Sequence, residues 1–167
     1  MSFTTVVLCV LIAAATFLFW EFIAWFTHKY IMHGFLWRWH KSHHTVHHHR
    51  FELNDLFALV FSLPCIGLLY YATVVRYNPY LIAVGIGIFC YGAFYFIFHD
   101  VIVHQRIRWR INKKSKYLRR LINAHYIHHT SHKKEGGEAF GFLIAPKKYE
   151  PEISQENKRR KETHHTP

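Results

Sequence analysis

Histidines are the residues of this sequence best suited to chemistry. There are 16 of them, and ten form two copies of one pattern, a pair spaced i, i+5 followed by a triplet spaced i, i+3, i+4. Neutral imidazole is a good ligand for zinc, copper, iron and nickel, so this repetition predicts metal binding, and ten ligands suit two ions better than one. The members are His28, His33, His40, His43 and His44 in the first copy and His99, His104, His125, His128 and His129 in the second.

The triplets and the pairs pose different geometric problems. On a helix, residues i, i+3 and i+4 fall within an arc of about 100°, so each triplet is predicted to aim three rings at one point. Residues five apart diverge by about 140° on an ideal helix. The pairs therefore converge only if the helix ends or bulges there, or if the metal lies between helices. Gly34, directly after His33, is a candidate helix stop.

Three apolar stretches must position these histidines. They cover residues 3–26, 56–75 and 79–98, and each has about the twenty apolar residues that cross a bilayer. Glu21 is the one charged residue within them. We predict an all-α integral membrane protein with about three transmembrane helices that extend into a helical cap carrying the dimetal site. The first stretch runs straight into the histidines and lacks the basic start of a signal peptide.

The distribution of positive charge predicts an orientation. The net charge is +11, and of the 21 Lys and Arg residues only Arg76 lies outside positions 28–53 and the region beyond 99. Lys and Arg resist translocation, so both basic regions, with the histidines, are expected in the cytoplasm. The same charge suits either an acidic carrier protein or anionic lipid headgroups. We expect no nucleic-acid partner.

The choice of metal decides which reaction the site could support. Zinc would serve hydrolysis, but few carboxylates lie near the predicted ligands to act as a general base. Iron could activate dioxygen, which needs electrons, and Cys9, Cys65 and Cys90 stand apart in apolar stretches where they form no electron-transfer motif. Electrons would then come from an external donor. The segment 85–87 indicates helix packing, not dinucleotide binding.

Other polar residues are candidates for supporting roles. A ligating imidazole usually donates its second N–H to an oxygen acceptor, and the available carboxylates are Glu52, Asp55, Asp100, Glu135 and Glu138. Asn54 and Asp55 could instead cap the second span. Glu21 is either functional or simply near the interface. Solvated or supporting roles are favoured over ligation for His47, His48, His49 and His132, and no direct role is expected for His164 and His165.

Several segments together resemble the bacterial-type β-carotene hydroxylases of the membrane fatty acid hydroxylase superfamily. They are HKYIMHG, WRWHKSHH, FELNDLF, YGAFYFIFHDVIVHQR, LRRLINAHYIHH and KEGGEAFGFLIAP, and they cover residues 25–146. The resemblance implies a non-haem diiron monooxygenase that uses dioxygen and reduced ferredoxin to convert β-carotene through β-cryptoxanthin to zeaxanthin. It also implies that the ten histidines are the catalytic iron ligands, and that the protein lies in the bacterial inner membrane.

The observations above predict the domain bounds and leave two alternative functions open. We expect a membrane-embedded hydroxylase-like domain at residues 1–150 and a basic, mobile tail at 151–167. One alternative keeps the diiron site and changes the substrate to a fatty acid or sterol. Another is a membrane metal-binding or transport protein, which would need ionisable residues along its spans. The aromatics Phe94, Tyr95, Phe96 and Phe98 could line a polyene channel or simply pack.

Overall fold

The computed structural model describes residues 1–45, 51–107, 109 and 114–152, and within these residues it contains helices and no strand. His47, His48, His49 and the predicted tail beyond Glu152 lie outside this part of the chain. The helices are α1 (Phe3–Phe26), α2 (Trp37–His44), α3 (Leu56–Tyr70), α4 (Pro79–Tyr95) and α5 (Lys116–His129).

Three continuous helices have the length and apolar composition needed to cross a membrane. They are Phe3–Phe35, Leu53–Val75 and Pro79–Val103, so the predicted all-α fold with three apolar spans is confirmed. The Ser2 hydroxyl caps the first helix by accepting a hydrogen bond from the backbone N–H of Thr5. Asn78 caps the third helix, where Pro79 occupies the first helical position. Because the third helix extends past residue 98, it also carries His99.

Helix α4 packs against both α1 and α3, and two of its glycines allow the close approach. A Cβ atom at Gly87 would lie 2.6 Å from the carbonyl oxygen of Ala13 in α1. A Cβ atom at Gly85 would lie 2.4 Å from the side chain of Leu69 in α3. Both distances are shorter than atomic contact, so the predicted packing role of this segment is confirmed.

We expect the substitution Gly87→Leu to destabilise the helix bundle, because the new side chain would collide with the backbone of α1. Overpacking of this kind costs about 1–3 kcal/mol. The midpoint of thermal unfolding in detergent should therefore fall. Gly67→Leu is the control, because a Cβ atom at Gly67 meets nothing within 4 Å. Equal midpoints for the two variants would contradict the packing role of Gly87.

Two π-helical segments continue the spans towards the site. Thr27–Phe35 follows α1 and carries His28 and His33, and Phe96–Val103 follows α4 and carries His99. In a π-helix each N–H bonds to the carbonyl five residues earlier, as the N–H of His104 does to the carbonyl of His99 at 2.9 Å. Residues five apart are thereby brought to one side of the helix. At Gly34 the backbone leaves the helical region, so the predicted stop is confirmed.

The helical cap combines α2, α5 and the segment that follows α5. Ser115 caps the start of helix α5, where its hydroxyl accepts a hydrogen bond from the backbone N–H of Leu118. Its apolar face packs on the end of the third span and on the C-terminal segment. The buried core of this unit consists of Phe98, Leu121, Ala124, Phe142, Ala145 and Tyr149. The cap thus places the α5 histidines opposite those carried by α2 and the spans.

Candidate metal centre

The ten predicted histidines come together in two clusters of five. In each cluster one ring nitrogen from every member lies within 4.8 Å of the others. All are buried except His104 and His129, which are half-buried. The first cluster is His28, His33, His40, His44 and His128; the second cluster is His43, His99, His104, His125 and His129.

The triplets divide between the clusters, so the prediction that each aims three rings at one point is wrong. In each triplet, the residues at positions i and i+4 lie in the same cluster as the two histidines spaced i, i+5 that precede them in the sequence. The residue at position i+3 lies in the other cluster. His43 thus belongs with the second-copy histidines, and His128 belongs with the first. On a helix, residue i+4 lies about 40° from residue i, but i+3 lies about 60° away on the other side. The two clusters consequently share helices α2 and α5.

Outer hydrogen bonds fix the ring orientations in the first cluster. The Nδ1–H groups of four members donate to backbone carbonyls at 2.8–3.1 Å. The acceptors are the carbonyls of Phe140, Lys134, Ser131 and Glu138, for His28, His33, His44 and His128 respectively. The fifth ring, His40, contacts the side-chain oxygen of Asn54 through Nδ1 at 2.7 Å. Since an oxygen of this kind only accepts, each Nδ1 must carry the proton, which leaves Nε2 as a lone-pair donor.

These lone pairs point at one another across the middle of the first cluster. The Nε2 atom of His40 lies 3.0 Å from that of His28 and 3.1 Å from that of His44. Two neutral rings whose protons are both on Nδ1 cannot form a hydrogen bond between their Nε2 atoms. A cation at the centre would turn this repulsion into coordination, so the donor set fits a metal ion.

Burial keeps the rings neutral at physiological pH. It lowers the pKa of His40 to about 3 and the pKa of His44 to about 4, with neighbouring rings adding to the effect. In the second cluster, burial lowers the pKa of His104 to about 3. The pKa of His125 also lies well below its usual range for the same reason. Neutral rings are the form that binds a metal.

The second cluster has a different surrounding, because carboxylates face its rings. Nδ1 of His43 lies 3.2 Å from a carboxylate oxygen of Glu52, and Nδ1 of His99 lies 3.4 Å from Asp100. Arg106 binds both carboxylates, lying 3.3 Å from Asp100 and in direct contact with Glu52. The predicted supporting roles of Glu52 and Asp100 are therefore consistent with the geometry. A carboxylate partner raises the basicity of an imidazole ligand.

The remaining candidates separate into supporting and distant residues. Asn54 supports His40, whereas Asp55 accepts from the backbone N–H of Glu52 and so acts as a cap. The Glu138 side chain binds Lys148 and Tyr149, and its backbone carbonyl accepts a hydrogen bond from Nδ1–H of His128. His132 lies outside both clusters and contacts the carbonyl of His44 through Nδ1 at 2.8 Å.

Backbone carbonyls are the features that sequence reasoning missed. Four of them come from the short stretch 131–140, where Ala139 has the left-handed backbone angle φ = 61°. Such a conformation costs a residue with a Cβ atom about 1–3 kcal/mol, and it turns the flanking carbonyls of Glu138 and Phe140 towards His128 and His28. No side-chain type signals this role. Arg106 was also missed, although its position two residues after His104 offered a hint.

An apolar cavity of about 490 Å³ reaches the clusters from the exposed apolar surface of the helices. It lies between α1, α3 and α4, and its outer wall includes Ile66 and Phe89, which are 60% and 65% exposed. Its inner end is formed by His28 and His40 of the first cluster and by His99 of the second. A membrane-dissolved apolar molecule could therefore reach both clusters without passing through water. Among the four candidate channel aromatics, Tyr95 and Phe96 line the cavity, while Phe94 and Phe98 pack in the core.

Fold and site together define a histidine-rich membrane protein of the hydroxylase type, with a metal-binding arrangement at the end of three apolar helices. The chain belongs to the fatty acid hydroxylase family, whose model matches residues 13–146.

Within this family, the chain is similar to several beta-carotene hydroxylases. The chain is 47% identical to a beta-carotene hydroxylase of Pseudescherichia vulneris over 127 residues, which is 76% of this chain and 71% of the relative. A beta-carotene hydroxylase of Pantoea ananas is 45% identical over 136 residues, or 81% of this chain and 77% of the relative. Beta-carotene 3-hydroxylase 2 (chloroplastic) of Arabidopsis thaliana is 38% identical over 135 residues, covering 78% of this chain and 43% of the relative. The predicted resemblance is thus confirmed. No solved structure matches the chain.

Proposed function

We propose that this protein is a non-haem diiron monooxygenase that hydroxylates the β-ionone rings of β-carotene at C3 and C3′. The product would be β-cryptoxanthin after one reaction and zeaxanthin after two. The observation that carries the proposal is the apolar cavity that ends on three histidines drawn from both clusters. Four bacterial relatives at 41–47% identity bear the name beta-carotene hydroxylase, which supports the choice of substrate.

Two iron ions would suit the ten nitrogen donors, five in each cluster. Bound iron would supply the reductive activation of dioxygen, in which one oxygen atom enters a C–H bond and the other leaves as water. This reaction consumes two electrons and two protons. The ten histidines are therefore proposed as metal ligands and catalytic residues. Imidazole nitrogen is a ligand type that suits iron.

The cavity residues would bind and orient the substrate. A β-ionone ring is apolar, and burying it between α1, α3 and α4 is favourable by about 25 cal/mol for each Å² removed from water. Tyr95 stacks on His99 with ring centroids 4.7 Å apart, and Phe142 lies edge-on to Tyr95. These rings form an apolar wall beside the clusters. They would hold the ring carbon near the metal and exclude water from it.

The electrons would come from an external acidic carrier, which we propose to be a ferredoxin. The cysteines Cys9, Cys65 and Cys90 are unpaired and well separated along the chain. The basic residues concentrate at the histidine-bearing end, where they would attract an acidic protein. By the same charge asymmetry we place this end in the cytoplasm and the protein in the bacterial inner membrane. Residues 1–150 would form the membrane-embedded domain, followed by the basic tail.

Expression in bacteria that accumulate β-carotene tests the proposal. Cells carrying this chain should convert β-carotene to β-cryptoxanthin and zeaxanthin, as measured by chromatography of the pigments, and conversion should stop without oxygen. Metal analysis of the purified protein should give iron. Unchanged β-carotene, with the protein present in the membrane and loaded with iron, would contradict the substrate. Hydroxylated fatty acids or sterols would then identify a sibling enzyme, and metal uptake without any product would identify a metal-binding or transport protein.

A further inference from the structure

Glu21 is a buried carboxylate in the middle of an apolar helix. It is 7% exposed in α1, where an unpaired charge would be costly. Its Oε2 atom accepts a hydrogen bond from the hydroxyl of Tyr91 in α4 at 2.7 Å. Its Oε1 atom accepts from the backbone N–H groups of Phe142 and Leu143, both at 2.8 Å. The carboxylate thereby joins two spans to the C-terminal segment of the cap.

The segment that Glu21 holds is the one that orients the first cluster. Just before Phe142, the carbonyls of Glu138 and Phe140 accept hydrogen bonds from His128 and His28, each at 2.9 Å. The ring of Phe142 stacks on His28, with centroids 5.6 Å apart, and lies edge-on to His99 of the second cluster at 5.8 Å. The two carbonyls, and not this ring, are therefore the part of the segment that is specific to the first cluster. A shift of this segment would therefore move the acceptors that set the direction of two ligand rings.

Gly141 gives independent support for the tightness of this contact. A Cβ atom at Gly141 would lie 2.7 Å from Oε1 of Glu21. This distance is shorter than ordinary atomic contact, so a side chain at this position would push the carboxylate away from its hydrogen-bond donors. The Glu21 carboxylate is thus in close contact with the segment at Gly141 as well as hydrogen-bonded to it at Phe142 and Leu143.

The second cluster depends much less on this segment for its outer hydrogen bonds. His43 and His99 face Glu52 and Asp100, which come from the start of the second span and the end of the third. Arg106 ties these two carboxylates together. Loss of the Glu21 contact would leave this set of interactions in place.

We propose that Glu21 is a positioning residue for the first histidine cluster. It fixes the segment 138–143 against the spans and so holds the carbonyls that orient His28 and His128. This inference rests on the proposed function in one respect, namely that the clusters bind metal. Glu21 contacts no ring of either cluster among its described hydrogen bonds, so it acts through the segment.

The test is a titration of the purified metal-free protein with cobalt(II), which reports each binding event as visible absorption. In the native protein we expect two binding events. Glu21→Leu removes both acceptor oxygens and should weaken one of these events by about 10–100-fold, the usual cost of losing an outer partner of a metal ligand, while the other is unchanged. Glu21→Gln keeps one acceptor oxygen for the backbone N–H groups and should restore most of the affinity.

Two further variants separate positioning from general destabilisation. Asn78→Ala removes a side chain that also accepts from two backbone N–H groups, of Tyr80 and Leu81, but at the opposite end of α4. It should leave both cobalt affinities unchanged. Gly141→Ala presses a methyl group against the same carboxylate and should weaken the same single event as Glu21→Leu, which provides the test if the leucine variant does not fold.

The outcomes distinguish this inference from the proposed function. The native protein could show two binding events, and each event could have the same affinity in Glu21→Leu and Gly141→Ala as in the native protein. This result would overturn the positioning role and leave the enzyme proposal intact. Equal weakening of both events would overturn it as well, because the role assigned to Glu21 is specific to one cluster. A native protein that binds no cobalt would overturn both proposals.

Discussion

The substitution His43→Ala should remove metal from the second cluster and leave the first occupied, although its neighbours His40 and His44 belong to the first. The i+3 ring of α2 points away from the pair formed by i and i+4, and it meets His99, whose Nε2 lies 2.9 Å from its own. Conversion of β-carotene should fall by more than about 100-fold, since even outer partners of ligands are worth 10–100-fold. Metal content should fall by about half, measured by elemental analysis of the purified protein.

The mirror-image variant His128→Ala should empty the first cluster for the same reason. The double variant His43→Ala/His128→Ala should lose nearly all of its metal, because it affects both clusters. The double variant His43→Ala/His99→Ala should lose no more metal than either single variant, because both residues belong to the second cluster. His132→Ala is the matched control, because this exposed histidine contacts the backbone carbonyl of His44 but belongs to neither cluster. It should keep its metal and activity. Equal metal loss from the two double variants would contradict the division of the triplets.

Filling the cavity should stop conversion without removing metal. Gly92 of α4 lines the cavity, and a Cβ atom there meets nothing within 4 Å. The variant Gly92→Phe should therefore fold with its side chain in the space proposed for the substrate. A displacement of about 1 Å from the reacting position is worth about 100-fold in rate, so we expect at least that loss of conversion, measured from the pigments of β-carotene-producing cells.

Gly67→Phe provides the control for this experiment. Gly67 is an exposed glycine of α3 with the same open surroundings, but it does not line the cavity. Its phenylalanine would face away from the proposed substrate, and conversion should continue at the native level. If Gly92→Phe retained full activity while keeping its iron, the substrate would have to reach the clusters by another route.

Much of the architecture was determined by local properties of the sequence. The three spans were predictable because each is an uninterrupted apolar stretch of membrane length. Their observed starts lie within three residues of the predicted ones, whereas the first and third helices continue past the predicted ends to Phe35 and Val103. The ten histidines were identifiable because their spacing repeats, and all ten lie in the two clusters. Glu52 and Asp100 were reasonable candidates because carboxylates are common partners of ligating imidazoles.

The tertiary structure alone decided how the histidines were grouped. Sequence spacing gives the angle between two side chains on one ideal helix, but it does not say which neighbouring helix each side chain faces. The π-helical turns changed that angle for His28 and His33 and for His99 and His104, and the packing of α2 opposite α5 sent His43 and His128 to opposite clusters. The orienting carbonyls of residues 131–140 have no side-chain signature at all. Local spacing therefore revealed the ligands, whereas their partners depend on contacts between residues far apart in the chain.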